Sequence, residues 1–151
     1  MARKPPAPPP LRLDQFLTYR LHLINKLTDR HSSDAYAQEF GLPVGEARCL
    51  AAIGNFGPLS VNDLAAKANL NKGQASRSAQ ALVEQGLVLK QASELDGRGV
   101  VLRLTSSGAK LYGRVIDLIA RRNDEIFGCL SSTEQQQLGA MLDRLIAHAR
   151  R

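Results

Sequence analysis

The chain has 151 residues, 44% of them hydrophobic, enough for one modest core and a single domain. No apolar run approaches the ~18 residues of a membrane span and no signal-peptide pattern opens the chain, so a cytoplasmic protein is expected. The net charge of +6 suits a polyanionic partner, yet residues 1–59, 60–105 and 106–151 hold seven, six and seven basic residues against five, four and five acidic ones. Charge alone therefore does not locate a nucleic-acid surface. Cys49 and Cys129 lie far apart without a Cys-x-x-Cys or Cys/His cluster, which indicates neither a disulfide framework nor structural zinc. No cofactor is expected.

Residues 1–10, MARKPPAPPP, contain five prolines and no periodic apolar face. They are expected to form an extended, disordered tail, with Arg3 and Lys4 either solvated or serving as a short basic arm to DNA. From Leu13 to about His31 the pattern turns helical, with Leu13, Phe16, Leu17, Leu21, Ile24 and Leu27 at spacings of three and four. That stripe is wide for a lone surface helix and would bury well against a partner chain. Gly41-Leu42-Pro43 marks a break, and Val44 to Asn55 reads as a further helix, closed by Asn55, Gly57 and Pro58.

Ser60, three residues before Asp63, has the spacing of a capping box, and Leu64, Ala65 and Ala68 give the helix behind it a small apolar face. Asn69 tolerates the left-handed conformation of a tight helix-to-helix turn. Asn71, with Gln74 at the reciprocal position, caps a second helix whose inner face is Ala75, Ala79, Leu82 and Val83. Its outer face carries Lys72, Gln74, Ser76, Arg77 and Gln80, side chains suited to phosphate oxygens and base edges in a major groove. Gln74 and Arg77 lead for base contact; a solvated face touching phosphate only is the alternative.

Gly86 ends that helix, Leu87 to Lys90 reads as a strand, Asp96-Gly97 as a hairpin turn, and Val100 to Thr105 as the returning strand. Two short helices at a turn followed by a hairpin make a winged helix-turn-helix. At this point DGRGVVLRLTSSG resembles the wing signature of MarR-family transcriptional regulators, an Asp-x-Arg followed by a strand ending in Leu-Thr-x-x-Gly. The resemblance extends from about Leu13 to the C-terminus. It implies that Arg98 enters the minor groove at the wing tip, oriented by Asp96. Gly41-Leu42 followed by Glu46, Arg48 and Leu50 fits the same family, whereas Ala47 stands where a bulky aromatic is common.

Past the wing, Ser107 to Gly128 carries Leu111, Tyr112, Val115, Ile116, Ile119, Ile126 and Phe127. Ser131 and Glu134 make another capping box, and Leu138, Met141, Leu142, Leu145, Ile146 and Ala149 run to the chain end at helical spacing. The terminal apolar faces exceed what one small wing domain covers, so a homodimer is expected, as the resemblance also implies. The fold expected is mainly α with a small β wing. Residues 11–151 would form one domain, with the winged helix-turn-helix over about 44–105 and dimerisation helices over about 13–40 and 106–150.

Enzyme signatures are missing: there is no P-loop, no Gly-x-Gly-x-x-Gly, no His-Glu-x-x-His and no Gly-x-Ser-x-Gly. His22, His31 and His148 are scattered, and His31 with Asp34 is a weak start for a metal site. In the regulators this chain resembles, a cleft between dimerisation helices and winged domain accepts small aromatic carboxylates or phenols. Tyr19, Arg20 and His22 on the first helix, facing Arg48 and Cys49 on the next, would suit such an anion. A structural ion pair for Arg48 and a core position for Tyr19 are the alternative. The peroxide-sensing branch carries its reactive cysteine on the first helix, where this chain has none, and Cys49 reads as buried. The function expected is a homodimeric repressor, bound to a pseudo-palindromic operator in double-stranded DNA and released by a benzoate-like, phenolic or pyridine-carboxylate effector. A winged-helix module for protein–protein contact, or a metal- or redox-responsive regulator, is the alternative.

Overall fold

The computed structural model describes residues 3–93 and 99–151. Among them are six α-helices and one two-stranded antiparallel sheet. The first long helix, α1 (Leu17–Phe40), begins later than its apolar stripe. Leu13–Gln15 form a single 3-10 turn and Phe16 is extended (φ −71°, ψ 139°), so the expected start at Leu13 is corrected. The helix runs well past His31 and stops where Gly41 turns left-handed at φ 64°, its N–H bonded to the carbonyls of Ala37 and Tyr36.

Helix α2 (Val44–Phe56) is the centre of the core, with Ala47, Cys49, Leu50, Ala52 and Ile53 buried on one side. Ala47 is fully buried and does not line the cavities described below. Helices α3 (Val61–Lys67) and α4 (Lys72–Glu84) pack on α2 through Leu64, Ala65, Ala75, Ala79 and Leu82. Leu42, Leu50, Leu64, Leu82 and Leu102 are all sealed from solvent, each contributing about 1.5–3 kcal/mol of transfer free energy. The turn between α3 and α4 does contain a left-handed Asn69, at φ 55°.

Strands β1 (Val88–Ala92) and β2 (Val100–Leu104) pair in antiparallel register with Val88 opposite Leu104 and Lys90 opposite Leu102. Strand β1 thus extends two residues beyond the expected Lys90. Leu59 exchanges both backbone hydrogen bonds with Leu102, which ties the segment before α3 to the sheet. Helix α5 (Ser106–Phe127) returns along α2, with Val115 and Leu118 buried, and α6 (Ser132–Ala149) follows with no buried residue at all. Arg121 forks onto the Glu39 carboxylate, and Arg122 donates to Ser32 Oγ and to the Thr28 carbonyl, so α5 is tied to α1. Leu17, Leu21, Ile24 and Leu27 remain exposed on α1.

Candidate functional site

The outer face of α4 is built by its N-terminal cap. Asn71 Oδ1 accepts from the Gln74 backbone N–H at 2.8 Å, and Gln74 Oε1 accepts from the Asn71 N–H at 3.1 Å. This reciprocal box fixes the entry of the helix and directs Lys72, Ser76 and Arg77 outward, all exposed. It also limits Gln74. A bidentate glutamine–adenine pair needs both amide atoms aimed at the base, whereas Oε1 is held against the Asn71 N–H with one lone pair left over, so Gln74 cannot swing out to a base without opening the box. By contrast the Ser60 hydroxyl accepts from the Asp63 N–H at 3.1 Å without a reciprocal bond, because the aspartate chain is one methylene shorter than the glutamate or glutamine such a box uses.

Gln80 is drawn away from the reading position as well. Its Oε1 accepts from Lys90 Nζ at 2.8 Å and its Nε2 donates to Glu84 at 3.4 Å, so it joins α4 to β1. Arg77 makes no hydrogen bond or ion pair among the described residues, and its Nη1 lies over Gly73, against the first turn of the helix. On the hairpin, Arg103 Nε donates to Gln91 Oε1 at 3.1 Å. Asp96 and Arg98, the wing-tip residues singled out in the sequence, lie outside the described residues.

A cavity of about 550 Å³ lies between α1, α2 and α5 and is floored by Ala51, Ala52, Ile116 and Ile119. Arg48 and Lys67 bring two cations to it, Asp29 one carboxylate, and Asn25, Asn55 and Asn69 neutral polar groups. Arg48 Nη2 meets Asp29 Oδ1 at 3.4 Å, and Lys67 Nζ sits 4.7 Å from the Phe56 ring centre. Burial pushes the nearby Tyr36 hydroxyl above its ordinary pKa, partly countered by Arg48 and Arg122, so it remains a neutral group at physiological pH.

Four of the five effector residues expected from the sequence are not brought to this cavity. Tyr19, Arg20 and His22 sit on the first turns of α1, roughly 10–15 Å along the axis from Asp29 at about 1.5 Å per residue, and none of them lines the cavity. Arg20 is turned back towards the Asp14 carbonyl and Gln15 Oε1. Cys49 faces inward: neighbours on a helix point about 100° apart, so it cannot share the outward direction of Arg48. Burial, the leading cause, pushes its thiol up to about 11 despite a hydrogen bond with Ser78, which leaves almost no thiolate for redox chemistry at neutral pH. The sequence reading missed Asn25, Asp29, Asn55 and Lys67. Asp29 and Asn25 share an i, i+4 row of α1, the available signal for that half of the cavity. No group of three His, Cys, Asp or Glu side chains suited to a metal occurs among the described residues, and no described helix is long and apolar enough to cross a membrane.

Residues 40–99 match the MarR family. The HTH-type transcriptional regulator BilQ of Clostridium symbiosum is 29% identical over 108 residues, covering 72% of this chain and 75% of that protein. A MarR family transcriptional regulator from Silicibacter pomeroyi superposes with a TM-score of 0.82 at 27% identity, over 91% of both chains. A MarR family protein from Mycobacterium tuberculosis, solved in complex with salicylic acid, superposes with a TM-score of 0.71 at 25% identity, over 89% of this chain and 99% of that one. The exposed reading helix, the two-stranded wing and the flanking helices, together with these likenesses to MarR family transcriptional regulators, give the chain the build of a winged helix-turn-helix DNA-binding transcriptional regulator.

Proposed function

We propose that the protein is a homodimeric repressor, acting in the cytoplasm, which a small aromatic acid releases from a pseudo-palindromic operator. The observation that carries this reading is the 550 Å³ cavity, where an apolar floor lies beside the Arg48 guanidinium at the junction of α1, α5 and the reading head. A flat ring with one anion fits such a lining: the ring covers Ala51, Ala52 and Ile119 while the guanidinium pairs the carboxylate. The salicylic acid carried by the Mycobacterium tuberculosis relative favours the same ligand class. The effector residues proposed are Arg48, Lys67, Asn25 and Asn55, with Tyr19, Arg20, His22 and Cys49 set aside. The test is selection of an operator from genomic fragments, followed by competition with a panel of aromatic acids. Compounds that raise the melting temperature should weaken operator binding, and a panel without any such compound at millimolar concentration removes the effector part of the proposal.

For the DNA face, Lys72, Ser76 and Arg77 are proposed to meet phosphates and bases, and Arg98, positioned by Asp96, the minor groove. Arg77→Ala should reduce discrimination between operator and mutated operator by about 1–3 kcal/mol, with a smaller effect on non-specific binding. Arg98→Ala should weaken operator binding by a similar amount. Both variants binding like the wild type in a salt-controlled titration would place the DNA-binding surface elsewhere.

A further inference from the structure

Arg48 lines two cavities. One is the effector cavity; the other is a groove of about 320 Å³ that it shares with Val44, Gly45, Leu70, Gln74, Arg77 and Ser78. Gln74 and Arg77 belong to the exposed face of α4, so the groove is continuous with the surface that reads DNA. Its lining contains two guanidinium groups and no carboxylate. A concavity lined by two cations and no carboxylate favours an anion, and beside a reading helix that anion is a backbone phosphate of the bound duplex.

The root of Arg48 is fixed and its head is loose. Ala47 and Cys49, on either side in the chain, are fully buried, so the α2 backbone cannot shift at this point without disturbing the core. The guanidinium makes a single hydrogen-bonded ion pair among the described residues, the 3.4 Å approach to Asp29, with 42% and 61% of the two side chains exposed. That is longer than a strong charge-assisted bond, and an exposed pair of this kind holds its partner weakly. The head can therefore exchange partners while the helix beneath it stays still.

We infer that the groove is a binding site for a DNA backbone phosphate and that Arg48 serves both cavities, so that effector carboxylate and operator phosphate compete for one guanidinium. The competition rests on the anionic-effector reading given above; the phosphate site does not. On the operator, Arg48 leaves Asp29 and pairs with phosphate beside Arg77. When a carboxylate occupies the effector cavity, the guanidinium turns to it and the phosphate contact is lost. The antagonism then has a fixed size, the worth of one charge-assisted contact, and it is reciprocal.

The test uses the full chain, the selected operator duplex and salicylate as probe, with operator affinity measured across salt concentrations and salicylate binding to the free protein measured by calorimetry. Arg48→Gln should weaken operator binding roughly tenfold and reduce the slope of log affinity against log salt by about 0.9. Saturating salicylate should weaken the wild type by the same roughly tenfold and leave the variant's affinity unchanged. Arg48→Lys, which keeps the charge, should restore the salt slope. Asp29→Asn removes the competing carboxylate and should tighten operator binding roughly two- to fivefold. An Arg48→Gln variant that melts like the wild type and keeps the wild-type slope overturns the phosphate site. Salicylate that binds, and displaces operator equally from wild type and Arg48→Gln, overturns the shared guanidinium while the cavity reading stands. Salicylate that does not bind the wild type overturns the cavity reading and the competition together, and the salt slope still decides the groove.

Discussion

Gly108→Ala is expected to destabilise the protein by on the order of 3–5 kcal/mol, whereas Gly113→Ala in the same helix should stabilise it by about 0.5–1 kcal/mol. A Cβ at position 108 would lie 1.9 Å from the Leu87 carbonyl oxygen and 2.9 Å from its carbon, both backbone atoms that no rotamer change can move aside. The Leu87 peptide is itself pinned, its N–H bonded to the Leu82 carbonyl at 3.0 Å and its oxygen accepting from the Thr105 N–H at 3.1 Å. At Gly113 nothing lies within 4 Å of the added carbon, so only the gain in helix propensity remains. The pair shares one chemical change, and urea midpoints for the two variants therefore isolate the close approach. A Gly108→Ala midpoint at or above the wild-type value would remove this account of the wing's anchor. The same geometry gives the Leu-Thr-x-x-Gly stretch a physical meaning. Thr105 Oγ1 donates to the Gly86 carbonyl at 2.7 Å and accepts from the Gly108 N–H at 3.0 Å, so one hydroxyl joins the end of α4 to the start of α5, and Gly108 lets the two backbones meet.

Ending the chain after Leu130 is expected to abolish the soluble dimer altogether. Helix α6 opens with a complete capping box between Ser131 and Glu134, yet Met141, Leu145 and Ile146 are 52%, 56% and 47% exposed within one chain. A well-capped helix with an uncovered apolar stripe needs a second surface, and α1 offers one of the same kind, with Leu17 and Leu27 at 73% and 57%. Covering each of these side chains is worth about 1.5–3 kcal/mol, so their combined loss exceeds the margin of an ordinary domain. Sedimentation of the intact protein should give about twice the chain mass of 16.4 kDa, and the shortened chain should aggregate or unfold. Leu145→Glu is the milder form of the experiment and should shift the equilibrium towards monomer at micromolar concentration. A shortened chain that stays soluble, monomeric and bound to operator would end the homodimer proposal.

The local parts of this fold were legible because each depends on residues a few positions apart. Asn71 with Gln74, Ser131 with Glu134, the left-handed Asn69 and the end of α4 at Gly86 all follow from side-chain reach and backbone freedom over one turn. Ser60 and Asp63 show the margin, since the spacing was right and one methylene decided that only half the box closes. The start of α1 escaped because a leucine repeat continues through Leu13 whatever Phe16 does to the backbone. The effector cavity was the least legible part. Helical periodicity fixes the direction in which Tyr19 and Asp29 point around α1 but carries no information on which stretch of its length crosses α2, and that crossing is what separates Arg48 from His22.

Gln74 has a consequence for how such a regulator acquires a new operator. A substitution there would alter any base contact and the helix entry together, because its Oε1 holds the Asn71 N–H, so any gain in recognition must first exceed the loss of that one hydrogen bond, about 0.5–1.5 kcal/mol. Ser76 and Arg77 carry no comparable structural bond among the described residues, and they can be exchanged without loosening the helix that presents them. Divergence of specificity among descendants of this chain, or its redirection in the laboratory, should therefore accumulate at 76 and 77, while 74 stays confined to residues that can still close the box.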